Sequence, residues 1–476
     1  DMLNDNSFEL GQDLVDYIND SPTMYNAVEN VRLWLDEYNF ERLDLAQEWK
    51  LVKGGKYYLV VNSSSIFAFV VAGDRIEKEG FRIIGSHTDS PGFKLKPNPE
   101  IKQRQYLKLN VEPYGGMILN TWMDRPLSMA GRVFTRNFED PFKPIEHIIK
   151  LDRPICMIPN LAIHMNRSIN DGYAYNKQDD MTPIVLESYE GDEKDYIRSL
   201  ILREINMSGK EKVSLEDILD YDLYLYEYEK GSLVGDEKEY ISCGRLDNLA
   251  SVHASISALL YSGSSARSIC NEDIDISSFR NVMSINDAGM DQSSQEKARF
   301  EGVKLVAAFN NEEVGSQTRQ GADSQLLINI LERIAIGLGK TKSQLLRSYE
   351  SSFMISADLA HAVHPNKSAL ADPTNRPVFA GGPTIKSHAG QAYASDAYSV
   401  AVYKDICDRN GIKYQTFANR SDKASGSTIG SITASYLPIA IVDVGMPILA
   451  MHSIRELGHI DDYRSYYESF YRFFDL

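Results

Sequence analysis

Seven residues in this sequence have the chemistry of metal ligands and proton carriers, and each stands where an apolar run gives out. His87 and Asp89 lie in "FRIIGSHTDSPGFKLKP", Asp247 in "CGRLDNLAS", and Glu312 and Glu313 in "FNNEEVGS". Asp358 follows in "ISADLAH" and His452 in "AMHSIRE". Imidazole nitrogen and carboxylate oxygen without cysteine suit Zn²⁺, Mn²⁺ or Co²⁺ rather than a structural thiolate zinc. Two such ions about 3.5–4 Å apart need one shared carboxylate and further ligands on either side. A shared aspartate, with one histidine and one acid per ion, uses five residues and leaves a sixth, acidic one free as a base. That set fits a two-metal hydrolase.

The adjacent acids say most. Neighbouring residues at a strand end point in different directions, so one of Glu312 and Glu313 can bind an ion while the other takes a proton from the attacking water. Taken singly, each piece also has a structural reading. "NNEE" could cap a following helix, where acids favour the first turn. His87 could be a packed histidine, and Asp89 an N-cap rather than the holder of the His87 tautomer. Asp247 could cap the helix beginning near "NLASVHASISALL", and Asp358 and His452 are unremarkable alone. Only the set argues for a site. Other motifs fail: "GLGKTKS" has Ile334 where a phosphate loop needs its first glycine, and Gly337 and Gly339 read as a helix stop. "GSTIG" places Ser427 wrongly for a nucleophile elbow, and neither HExxH nor a Rossmann fingerprint occurs.

The elements that must carry these residues alternate. Strand-like runs "KYYLVV", "SIFAFVVAG" and "FRIIGSH" return downstream as "VKLVAAFNNEEVGS", "FMISADLAHAVHPN" and "IAIVDVGMPILAMHS". Helical patterns such as "SQLLINILERIAIGLG" and "ASDAYSVAVYKDICDRNG" lie between them. This predicts an α/β fold, a mostly parallel sheet flanked by helices, with its site outside the carboxyl ends of the strands. Residues 91–239 read instead as short β pieces, "YLKLNVEPYGGMILN", "AGRVFTR" and "HIIKL", with few clear helices. We expect an inserted β-rich domain there, between catalytic parts 1–90 and 240–476. Two polar stretches, near 187–232 and 263–298, read as solvated excursions.

Bulk properties narrow the partners. The 476 residues carry a formal net charge of −17 and a pI of about 5.1, which argues against nucleic acid or anionic membrane. No apolar run approaches the roughly 18 residues of a membrane span. The first residues are acidic and lack the core of a secretory signal. Cys156, Cys243, Cys270 and Cys407 have no CxxC spacing and suit reduced thiols. The sequence reads as a cytoplasmic protein.

Several linked motifs then resemble one family. "GSHTDSPGFKLKP", "NTWMDRPLSMAGRV", "CGRLDNLAS", "NNEEVGSQTRQGADS", "SADLAHAVHPN", "GSTIGSI" and "MHSIRELGHIDD" resemble, in order, the aspartyl aminopeptidase and vacuolar aminopeptidase I family of metallopeptidases. The resemblance covers nearly the whole chain. It implies a cocatalytic dizinc exopeptidase that removes amino-terminal residues, with zinc as first expectation and manganese or cobalt as alternatives. It implies His87 and Asp358 on one metal, Glu313 and His452 on the other, and Asp247 bridging. Glu312 would be the general base that activates a metal-bridging water, and Asp89 the support for His87. It also implies that the inserted β-rich domain serves dimerisation, that dimers build a tetrahedral dodecamer, and that His164 in "NLAIHMNRSIN" reaches a neighbour's site. Lys386, His361 and Gly426 fall on the substrate side. Ala424, Ser425 and Ser431 depart from the family pattern around "GSTIG", and "PTIKSHAGQAYASD" departs around His388. Acidic and neutral or aliphatic amino-terminal residues therefore both stand as expected substrates. A dizinc amidase or deacylase on a non-peptide, and an inactive oligomeric scaffold, are the rival readings.

Overall fold

Along the strands of the main sheet, successive side chains enter two different cores. The structure, a computed structural model, describes residues 2–208, 212–262 and 299–476; the polar stretch expected at 263–298 lies outside them. In strand Ser65–Val71, Ile66, Ala68 and Val70 face one core while Phe67, Phe69 and Val71 face the other. The same period of two runs through Val303–Phe309. Apolar on both faces, such strands must be covered on both. Helices Met24–Glu37, Leu246–Tyr261, Ala397–Arg409 and Ile460–Asp475 cover one face, and Leu326–Gly337 and Lys342–Ser348 the other.

The sheet has nine strands, in the order Glu41–Arg42, Lys56–Val61, Ser65–Val71, Val303–Phe309, Phe81–His87, Phe353–Ala357, Ala440–Gly445, Thr384–Lys386, Gln415–Phe417. The four strands from Val303–Phe309 to Ala440–Gly445 are mutually parallel, and antiparallel pairings begin on either side of them. The fold is thus α/β with a large, mostly parallel sheet flanked by helices. Register sets the site. Phe309 pairs with His87, so the "NNEE" loop opens beside the histidine. Ser356 pairs with Gly85, which brings Asp358 level with His87 two residues on. Gly445 allows the closing approach, because a Cβ there would lie 1.9 Å from the Asp358 carbonyl oxygen.

A second sheet of six strands, all antiparallel, is formed by Ile145–Lys150, Leu127–Thr135, Ile218–Glu227, Gly92–Gln103, Tyr106–Tyr114 and Ile184–Leu186. It has its own core, built around Phe93, Val111, Met129 and Leu223. The expectation of a solvated excursion near 187–232 is corrected here. Helix Tyr196–Met207 buries Tyr196, Ile197, Leu200, Ile201 and Ile205, and Ile218–Glu227 is an interior strand of this sheet. In the helix the charged residues lie off the buried stripe, and in the strand Asp222 pairs with Lys94 and Arg132 and Glu227 with Arg125 and Arg455. No helix among the described residues is long and apolar enough to cross a membrane.

Lys304 places an amine inside a strand of the main sheet. Lys304 in Val303–Phe309 is 6 % exposed; burial pushes its ammonium down to about 8, with Arg82 and Arg299 adding to the effect and Asp475 opposing it. A depressed lysine destabilises the fold while it is protonated, and that cost falls as pH rises from about 8 and is gone above the unfolded value near 10.4. Lys304→Met should therefore raise the melting temperature by roughly 1–3 °C at pH 7. The gain over the parent protein should shrink by pH 10 in parallel melts; a pH-independent gain would contradict this account.

Candidate metal centre

The ends of the parallel strands, the start of helix Leu246–Tyr261 and the loop at His452 bring six of the seven sequence-selected residues together around one buried space, with Asp89 immediately behind them. His87 Nε2 lies 3.4 Å from Asp247 Oδ1, 3.6 Å from Asp358 Oδ1 and 3.6 Å from Glu312 Oε2. On the far side, His452 Nε2 lies 3.1 Å from Asp247 Oδ2 and 3.4 Å from Glu313 Oε2. Asp247 thus turns one oxygen to each imidazole. Three trios have donor atoms within 4.8 Å of one another: His87, Asp247 and Asp358; Asp247, Glu313 and His452; and His87, Glu312 and Glu313. Donors around a tetrahedral zinc at about 2.0–2.2 Å stand about 3.3–3.6 Å apart, close to the 3.1–3.6 Å between these imidazole and carboxylate atoms.

Local structure aims each group. Asp247 and Asn248 have non-helical backbone at the start of Leu246–Tyr261, so the Asp247 carboxylate faces the imidazoles instead of capping the helix. Asn248 Nδ2 donates to Ala357 O at 2.8 Å, and Ser90 Oγ to Asp247 O at 2.9 Å. Glu312 and Glu313 start a short 3₁₀ turn after Asn311, whose φ is 62°. They do not cap it. Their own N–H groups donate to Asp89 Oδ1 at 3.2 Å and Asp89 Oδ2 at 3.0 Å. Asp89 is fully buried, also accepts from Tyr114 Oη at 2.8 Å, and has His87 Nδ1 3.2 Å from its Oδ1. A second buried acid, Glu456, accepts from Asp247 N at 3.2 Å and His452 N at 3.0 Å.

The electrostatics call for positive charge. Burial, then neighbouring carboxylates, push Glu312 up to about 9 and Glu313 up to about 7. Glu456 is raised to about 8 by burial and by Asp247. Burial opposes charging the imidazoles, yet Asp247 and Glu313 raise His452 to about 11, and Glu312, Asp247, Asp358 and Asp89 raise His87. His87 Nε2, Asp247 Oδ1 and Glu313 Oε1 are buried with no hydrogen-bond partner. Unpaired donors of this kind, clustered with excess carboxylate, fit divalent cations.

The remaining selected residues lie around or apart from this core. Lys386 is 4 % exposed and its Nζ donates to Leu359 O at 2.7 Å, one residue past Asp358. His361 is held below the usual imidazole range by its surroundings and by Lys386. Gly426 is exposed, with open space where a Cβ would stand, and no hydrogen bond or ion pair ties it to the centre. His164 sits in the short turn Ile163–Met165, is exposed, and makes no such contact either. Sequence reasoning missed Glu456, Tyr114 and Asp443. Glu456 stands four residues after His452, within the same quoted motif. Asp443 is buried in the middle of a strand and accepts from Thr428 Oγ1 and Ala394 N, each at 2.6 Å, fixing the "GSTIG" turn.

A parallel α/β sheet that gathers imidazoles and carboxylates about a shared aspartate defines a metal-dependent hydrolase. The chain belongs to the M18 family: the model of the aminopeptidase I zinc metalloproteases matches residues 17–282 and 271–474. It is therefore an enzyme, a zinc metallopeptidase of the aminopeptidase class. It is 44% identical over 473 residues to the "Probable M18 family aminopeptidase 2" of Clostridium novyi, covering 99% of this chain and 100% of that one. It is 33% identical over 496 residues to the "Probable aspartyl aminopeptidase" of Ricinus communis, covering 98% and 95%. Its fold is similar to that of the yeast mApe1 dodecamer, with a TM-score of 0.77, 27% identity and coverage of 98% and 96%.

Glu456→Gln places an amide donor against one of two backbone N–H groups that now share a carboxylate. The Asp247 or His452 backbone should shift, and zinc affinity in chelator competition should fall about 10- to 100-fold. Unchanged affinity would show that Glu456 does not hold these ligands.

Proposed function

We propose that this chain is a cocatalytic dizinc aminopeptidase that hydrolyses the first peptide bond of peptides with a free amino terminus. The observation that carries the reading is Asp247, with one oxygen turned to each of two histidine-carboxylate pairs. In this reading His87, Asp247 and Asp358 hold one ion, and Asp247, Glu313 and His452 the other. When bound, the pair of ions would polarise the scissile carbonyl and acidify the attacking water.

The protein's own groups supply the rest. Glu312 is the more open of the adjacent acids, its side chain 15% exposed against 5% for Glu313, so it faces incoming substrate. It takes the proton from water and returns it to the leaving amine. Asp89 holds both His87 and the backbone of the two glutamates. The substrate's ammonium group meets a carboxylate-rich pocket, which favours a free amino terminus over a blocked one. Lys386 is a buried ammonium without an ion-pair partner among the described residues, one residue past Asp358, which supports an acidic amino-terminal side chain. The naming of the Ricinus communis relative agrees with that preference. His361 lies on the same side, with Gly426 on the loop that precedes "STIG".

We assign residues 91–239 to an inserted dimerisation domain and the flanking parts to the catalytic domain. The loop that carries His164 leaves Leu161, Ile163 and Met165 between 52 and 72% exposed, and Phe142, in the turn before strand Ile145–Lys150, is 94% exposed. Apolar surface of that kind suits burial between subunits. With the yeast relative solved as a dodecamer, a tetrahedral dodecamer built from dimers is the assembly proposed, with His164 reaching a neighbour's centre to stabilise the oxyanion.

Glu312→Gln should retain zinc but lose at least about 10²-fold in turnover, measured beside metal content on one sample. Near-normal turnover would exclude Glu312 as the base. Acetylated peptides should be cut far more slowly than free ones; equal rates would instead favour a general amidase. Among aminoacyl chromogenic substrates, Lys386→Met should cost at least about 10-fold on aspartyl and glutamyl compounds and little on leucyl ones. A wild-type preference for leucyl substrates would turn the assignment to aliphatic residues.

A further inference from the structure

The six-stranded sheet does more than stand beside the centre. Its strand Tyr106–Tyr114 ends against the ligands, and the residues that follow touch both halves of the site. Tyr114 Oη donates to Asp89 Oδ2 at 2.8 Å and accepts from Asn311 Nδ2 at 3.0 Å, so one phenol braces the residue behind His87 and the residue before the glutamate pair. Gly115, at φ +71°, packs tightly on Glu313: a Cβ would stand 3.1 Å from Glu313 Cβ and 3.4 Å from its carbonyl oxygen, so Glu313 would have to give way. The Gly116 carbonyl lies 2.7 Å from His452 Nδ1, and Ile118 N donates to His452 O at 3.0 Å. A carbonyl only accepts, so Nδ1 must carry a proton, which leaves Nε2, turned toward Asp247 and Glu313, as the nitrogen able to bind an ion.

We propose that segment Tyr114–Ile118 is a positioning strap, through which the inserted sheet sets the orientation of His452 and of the Asp89-held glutamate pair. The inference rests on the two-metal reading above and adds residues to it that bind neither ion nor substrate. It makes the insert part of the catalytic apparatus as well as a surface for assembly. A strand that ends on two ligand-bearing loops at once holds them at a fixed separation, and metal affinity depends on such holders by about 10- to 100-fold.

The test uses the full-length, zinc-loaded enzyme. Tyr114→Phe removes one hydroxyl and keeps the ring. The control is Tyr224→Phe, whose ring packs edge-on against Tyr114 at 5.6 Å and whose hydroxyl makes no hydrogen bond to the centre. In Tyr114→Phe, zinc affinity by chelator competition should fall about 10-fold or more, and kcat should fall with KM within about twofold. The visible spectrum of the cobalt-substituted variant should differ from that of the parent. Tyr224→Phe should match the parent in all three, and thermal melts confirm that both variants fold. Gly115→Ala presses on Glu313 from the strap itself and should lose zinc affinity with Tyr114 intact, which decides the matter if Tyr114→Phe does not fold. Equal behaviour of Tyr114→Phe and parent, or equal losses in both tyrosine variants, overturns the strap. A parent enzyme that binds no zinc, or cuts no free-amine peptide, overturns the two-metal reading instead.

Discussion

Asp89 is the carboxylate on which both sides of the centre lean. It is wholly buried, and its oxygens are occupied by two backbone N–H groups, a tyrosine hydroxyl and the neighbourhood of His87 Nδ1. Hydrogen bonds to a buried charge are worth about 1.5–3 kcal/mol each, and their loss would leave that charge unsatisfied. The cost of disordering any partner is therefore shared by all of them. Glu456 repeats the device with the backbones of Asp247 and His452. Four mutually repelling carboxylates could not hold such positions unaided, so these two braces set the centre's geometry before any ion arrives.

The braces work because the sheet delivers their partners at one height. Parallel pairing of Phe81–His87 with both of its neighbours brings three loops out at a common edge. A slip of one residue would reverse every side chain on a strand, moving core residues to the wrong layer as well as displacing a ligand. The two apolar faces and the candidate metal centre thus depend on the same register.

Much of this was legible in the sequence. The strands ending in His87, Glu312 and Asp358 are long apolar runs closed abruptly by polar residues, and that signature survives without any structure. Three things were not legible. Glu456 accepts from the distant Asp247 backbone and Tyr114 bonds the distant Asp89 and Asn311 side chains, and nothing in "MHSIRE" or "EPYGG" announces those partners. Helix Tyr196–Met207 was hidden because charges interrupt its apolar stripe; only its packing on the six-stranded sheet distinguishes it from a solvated segment. Asp443 lies inside an otherwise apolar strand, where local pattern cannot tell a buried, fully bonded acid from an exposed one.

His452 and the Gly116 carbonyl that orients it are separated by 336 positions. Long-range closures of this kind come late, after the segments between them have collapsed. A nascent chain leaving the ribosome would carry His87 and the whole six-stranded sheet well before the second imidazole is synthesised. Until His452 is added, the chain lacks one of the two imidazoles that face Asp247 across the candidate centre.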